Sequence, residues 1–342
     1  MELRTVNPTI SLLPAIITKH EQETSQSIIR NDDIPVRSTN TFLEANTKEV
    51  NLSHLKNDCI IPVFAKDNET SISHHDFIDV VAETVNQFFP MEQIDTPNIR
   101  ISHPIKGRIP EAVHKPVAQL MDNEKTIYYE RMAFVVEISS ISEQVNGNML
   151  NLAIGGVRAY NHENLYSKKG MEKFKLFIGF QNLVCTNLCV STDGYSSEIR
   201  VSSVMDLREK VFELLKNYQV KKHLETMKTL NNYSLTEHQF AQLIGKSRLY
   251  QHLPNKLKKE IPNLELNDSQ INLVAKDYYT DNNFKRLDDG SISLWRMYNL
   301  FTEANRSSYI DTFLDRAVNA TQFVEGIACS LNGKSGFDWF IQ

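Results

Sequence analysis

The chain has 342 residues, 41% of them hydrophobic and 23% charged, with 37 basic against 42 acidic side chains and a net charge of −5. This mixture excludes a largely disordered chain, and the length supports two or three compact units with a core that needs no disulfide staples. The charge excludes binding to a polyanion through the overall field, so a nucleic-acid surface has to be a local patch.

Residues 1–40 carry Ser, Thr, Asn, Gln and acids but no aromatic side chain, which predicts a flexible N-terminal arm. Glu2, Pro8 and Pro14 interrupt the first apolar residues, no run reaches the ~20 apolar residues of a membrane span, and the four cysteines are scattered. Together these point to a cytoplasmic protein with no membrane partner. Residues 41–125 read as an N-terminal region of helix and loop. Ser73 and Asp76 have capping-box spacing ahead of a helix with Phe77, Val80, Val81, Val85 and Phe88 on one face, stopped by Pro90. The stretch PNIRISHPIKGRIPEAVHKP, residues 97–116, has prolines too close for a helix and predicts a loop or edge segment.

Residues 126–203 predict an antiparallel meander of about five strands. Met132, Phe134, Val136 and Ile138 alternate, Asn146-Gly147 supplies a hairpin turn, and Phe174, Leu176, Ile178 and Phe180 form an apolar face that leaves Lys173 and Lys175 to solvent. Asp193-Gly194 predicts a second hairpin. Residues 204–342 turn helical and are expected to pack on the sheet. Leu207, Val211, Leu214, Leu215, Tyr218 and Leu224 suggest one long amphipathic helix, with capping boxes at Ser234/Glu237 and Ser308/Asp311 opening two more. The fold class is α+β.

No constellation assigns a catalytic residue, metal ligand or cofactor. ACSLNGKS, residues 328–335, satisfies a relaxed phosphate-loop pattern but leaves a predicted helix rather than a strand, so it reads as a helix end capped by Gly333. Cys185 and Cys189 lack the second ligand pair of a structural zinc site and read as buried thiols, while His74 and His75 read as surface residues. LTEHQFAQLIGKSR, residues 235–248, has helix-turn-helix spacing around Ala241 and Gly245, yet Pro254 falls where a recognition helix should run. Basic residues do gather locally. Lys106, Arg108, Arg158, Lys168, Lys169, Lys173 and Lys175 are the candidate nucleic-acid contacts, with Tyr128, Tyr129, Tyr160 and Tyr166 as stacking partners for unpaired bases.

Four segments carry a family resemblance: ERMAFVVEI; GGVRAYNHENLYSKKGMEKFKLFIGFQNLVCTNLCVSTDG; LTEHQFAQLIGKSRLYQHLP; and LWRMYNLFTEANRSSYIDTFLDR. Over residues 42–340 the chain resembles a bacterial family of unknown function found on plasmids, conjugative elements and prophages. It is more distantly similar to a broader phage and plasmid family through VCTN at residues 184–187 and the aromatic stretch at 295–302. Neither family carries an established activity, so no functional residue transfers.

The resemblance implies a protein of mobile DNA. The leading expectation is binding of single-stranded or forked DNA in replication, recombination or transfer, with the basic residues converging on one side of the sheet. The alternative is an inhibitor or adaptor that binds a host or element-encoded protein and counters a defence enzyme through the acidic N-terminal region; it takes precedence if those side chains face apart. An unrecognised hydrolase is third.

Overall fold

In the computed structural model, which describes residues 41–59, 71–112, 114–160, 171–334 and 336–342, short elements lead into a long antiparallel sheet. β1 (Lys48–Val50), α1 (Leu52–Asn57) and α2 (His74–Phe88) come first. α2 opens on the expected capping box, Ser73 accepting from the Asp76 amide and Asp76 from the Ser73 amide. β2 (Asn98–Ile101), β3 (Pro104–Arg108) and β4 (Lys125–Tyr129) precede the three long strands β5 (Arg131–Val145), β6 (Asn148–Ala159) and β7 (Glu172–Asn182). Asn146 and Gly147, both at positive φ (50° and 86°), form the β5–β6 turn that the Asn-Gly pair predicts.

Among the described residues the main sheet has seven strands in the order β1-β2-β5-β6-β7, with β8 (Leu188–Cys189) and β9 (Tyr195–Val201) sharing the far edge of β7. The Asp193-Gly194 hairpin is therefore not realised. A 3-10 turn at Thr192–Gly194 links two strands that both pair with β7, and a Cβ on Gly194 would lie 2.2 Å from the Ile178 carbonyl oxygen, so close approach is what needs the glycine. The meander also gains β1 and β2 from the region read as helix and loop, while β4 leaves it to pair with β3.

Both faces of the sheet are covered. On one, Ile99, Phe134, Val136, Ile154, Phe174, Leu176, Ile178 and Phe180 meet α2, α3 (Val204–Asn217) and α4 (Val220–Thr229). Phe77 sits edge-on to Phe134, centroids 5.1 Å apart, and reaches the sheet over Gly156, where a Cβ would lie 2.5 Å from its ring. On the other face Ala133, Val135, Val157 and Phe177 pack under the helix α9 (Ile310–Leu331) and the Phe42-Leu43 segment. The expected register holds, because Phe174, Leu176, Ile178 and Phe180 are all buried in the first core. Lys175 is nevertheless only 19% exposed, since α9 covers the face that the sequence leaves to solvent.

The rest of the chain is helical. The single helix expected over residues 207–224 is two, because Tyr218 turns to extended backbone and the Gln219 amide donates to Asp193. β10 (Ser234–Leu235) and β11 (Ile292–Ser293) pair, α5 (Glu237–His252) and the short α6 (Asn255–Lys258) follow β10, and α7 (Asp268–Thr280), α8 (Leu294–Asn305) and α10 (Asp338–Ile341) complete the bundle with α9. The capping box of α5 is Thr236 with Gln239, two residues beyond the expected pair. α9 starts after Tyr309, without a side-chain cap. α5 runs unbroken through Gly245, so the helix-turn-helix reading fails there. The Gly333 reading holds: φ is +71°, and the Lys334 amide donates to the Cys329 carbonyl.

Candidate functional site

The seven basic candidates do not form one face. Val157 lies directly opposite Lys175 across the β6–β7 ladder, so Arg158, one residue on, points through the sheet to the other side. There its side chain is 0% exposed, paired with Glu172, with its guanidinium carbon 4.4 Å from the Tyr160 ring centroid and 4.6 Å from that of Phe174. Lys173 and Lys175 lie on the α9 side. Lys173 reaches Glu198 at 3.3 Å; Lys175 donates to the Asp311 carbonyl at 2.7 Å and pairs with Asp315. Lys106 and Arg108 are on β3. Lys168 and Lys169 lie outside the described residues, as do Tyr166 and the predicted N-terminal arm. Convergence on one side of the sheet is thus corrected for Arg158, which is core, and for Lys175, which is tied to α9.

The tyrosines meant for stacking are corrected with them. Tyr129 and Tyr160 are buried, and Tyr128 is half-buried with its ring edge-on to that of Tyr160 at 6.3 Å. His74 is not a surface residue either. It is buried against Tyr160, ring centroids 4.5 Å apart, and its Nε2 donates to the Tyr129 carbonyl at 2.8 Å. Burial, with Arg158 nearby, lowers its pKa from 6.5 to about 3. Cys185 and Cys189 are buried free thiols, and burial raises both pKa values.

Of the described candidates Lys106 is exposed and Arg108 half-buried, and both lie on the ribbon β3–β4. Its register continues that of β2 and β5: Ile101 faces Met132, and three steps along each strand Pro104 faces Tyr129. Proline has no N–H to give the ladder, so the hydrogen bonding breaks there and a separate two-stranded sheet begins. Alternation puts Lys106, Arg108 and Lys125 on one ribbon face, with Arg108 directly across from Lys125. Beyond them the tip, residues 109–124, turns through three short 3-10 segments. Arg108 donates to the Lys115 carbonyl, Lys115 pairs with Glu124, and Lys125 reaches Asp122 at 2.7 Å. Lys106 forms no ion pair with a described residue. Val117 and Met121 stand 71% and 56% exposed at the tip. Sequence reasoning singled out none of Lys125, Val117 and Met121; the available signal was an apolar pair just after the closely spaced prolines.

Two other polar places lie on or beside the sheet. A cleft of about 480 Å³ lined by Lys173, Lys175, Ser197, Glu198 and Asp311 has its lysines already matched to carboxylates. The VCTN turn and α8, both singled out in the sequence, do meet: Asn182 Nδ2 donates to Asn299 Oδ1 at 3.1 Å and Asn187 Nδ2 to the Asn299 carbonyl at 3.0 Å. Thr186 sits in that turn at φ +60°, unusual for a β-branched residue, its amide donating to the Asn182 carbonyl. These amides are buried, so the pair of motifs marks a structural joint between sheet and helices.

The sequence matches, over residues 23–341, the family described as "Domain of unknown function, B. Theta Gene description (DUF3871)". No curated protein and no solved structure matches it.

Proposed function

The chain belongs to this family of unknown function, and we propose that it is a protein-binding adaptor or inhibitor that seats the tip of the β3–β4 ribbon in a partner protein. The observation that carries the reading is the tip itself, where exposed Val117 and Met121 stand beyond a face bearing Lys106, Arg108 and Lys125. An apolar anchor beside cations fits an apolar pocket with an acidic rim. The pairing of Lys173 and Lys175 with carboxylates removes the cations that a sheet-wide phosphate track would need. Free cysteines suit a reducing cytoplasm. The resemblance to plasmid and phage proteins favours a partner that is a host defence enzyme or a protein encoded by the same element.

DNA binding is the second reading, because a two-stranded ribbon with three cations on one face has dimensions that the major groove admits. One experiment separates the two. A photo-crosslinking residue at Val117, compared with one at the still more exposed Met91 outside the ribbon, should give a discrete protein adduct at 117 alone in cells carrying the parent element. Val117→Asp or Met121→Asp should then weaken binding of the purified partner. Adducts to DNA alone, lost on Lys106→Ala with Lys125→Ala, would favour the second reading. Equal adducts at 117 and 91 would refute a role for the tip.

A further inference from the structure

At its root the ribbon is held chiefly through Tyr129, beside a parallel bridge between Cys59 and Ile127 and the edge-on contact of Tyr128 with Tyr160. Tyr129, the last residue of β4, is gripped twice: His54 Nε2 of α1 lies 2.8 Å from its hydroxyl, and His74 Nε2 of α2 donates to its carbonyl at 2.8 Å. Asp58 holds the first histidine in place, 2.8 Å from His54 Nδ1. The second is fixed by burial against Tyr160. Tyr129 stands opposite Pro104, where the ladder between sheet and ribbon is interrupted although the register runs on. Below the break, bonds between Ser102 and Arg131 close the sheet, the Ser102 amide to the Arg131 carbonyl at 2.9 Å and the Arg131 amide to Ser102 Oγ at 3.1 Å. A backbone joint with a missing N–H can bend, and two ring nitrogens from separate helices meet on the residue at that joint.

We propose that Tyr129 is the pin of a hinge: His54 and His74 set the angle at which the ribbon leaves the sheet, and loosening their grip lets the ribbon swing while the sheet stays folded. The importance of that swing for partner docking rests on the ribbon being the contact element. The hinge itself does not, and it is tested without a partner.

Amide hydrogen exchange on the full-length protein reads it directly. Tyr129→Phe keeps the ring and removes the hydroxyl; His54→Ala removes the other side of the same contact at a half-exposed site. One hydrogen bond of ordinary net worth corresponds to about a fivefold change in a local opening equilibrium. Both variants should therefore raise exchange about fivefold in residues 105–108 and 125–129 and leave residues 132–138 of β5 unchanged, with melting temperature nearly constant. Unchanged exchange in the ribbon would overturn the proposal. So would an increase spread equally over β5, because the contact would then support the whole fold and not a joint.

Discussion

Replacing Arg158 by alanine tests whether this residue is a ligand contact or part of the core. Its side chain is fully buried between Tyr160 and Phe174 and paired with Glu172. Removing one partner of a buried pair costs about 3–5 kcal/mol, because the other charge is left stranded. Glu172 is 17% exposed and still accepts from the Ile72 amide at 3.0 and 3.1 Å, which places Arg158→Ala near the lower end, at about 3 kcal/mol. Urea unfolding should show a lower midpoint with an unchanged slope, and the thermal midpoint should fall by roughly 4–5 °C. Combining Arg158→Met with Glu172→Gln replaces the pair by neutral groups of similar volume and should recover most of the loss. A shift below ~1 kcal/mol for Arg158→Ala would show that the guanidinium is solvated. Loss of DNA binding at unchanged stability would return Arg158 to the list of contacts.

Phe180→Ala should cost about 3–5 kcal/mol in urea unfolding, and a change within ~0.5 kcal/mol would place β7 outside the core. His74 and His223 are buried with pKa values lowered by burial from 6.5 to about 3 and about 4, so the folded state binds fewer protons than the unfolded state. Their stabilising contribution is complete above pH ~6.5 and is lost as pH falls towards the folded values; each should give up about 2 kcal/mol by pH ~5, and urea midpoints flat between pH ~7 and ~5 would refute this. Thr186→Asn, at φ +60°, should raise stability by about 0.5–1 kcal/mol, since asparagine tolerates the left-handed region better; a loss of similar size would show that the Thr186 hydroxyl outweighs the backbone. Lys334→Ala should change stability by less than ~0.5 kcal/mol and leave no nucleotide-dependent property altered, because the segment is a helix end; tight ATP binding abolished by it would restore the phosphate-loop reading.

The β5–β6–β7 spine was legible because alternation, an Asn-Gly turn and strand length all pointed the same way. β2 was not, because NIRI is short and sits between prolines, and a strand with so few residues is identified by its neighbours. The cover over the second face was half visible: Val157 and Phe177 are apolar at positions that alternation assigns outward. What no local pattern could show is that Asp315, 140 residues away, comes down on Lys175. Arg158, Lys173 and Lys175 fail to converge for the same reason. They were grouped by sequence position, whereas their fate was decided by Glu172, Glu198 and Asp315 arriving from other strands and from α9. The ribbon's cations were partly legible, in Lys106 and Arg108, but the side they share with Lys125 depends on a pairing across the whole tip, residues 109 to 124.

The sheet with two covered faces also sets a timetable for synthesis. Helices α2 and α3 lie close in sequence to the strands they cover, so the first face can be shielded as it emerges. The second face waits for α9, and 136 residues separate Lys175 from Asp311. At ribosomal speeds of about 5–20 residues per second, the sheet spends roughly 7–27 s with Val135, Val157 and Phe177 bare. During that interval the nascent chain offers a β surface that chaperones or a neighbouring chain can occupy, and truncation anywhere before α9 would make the interval permanent.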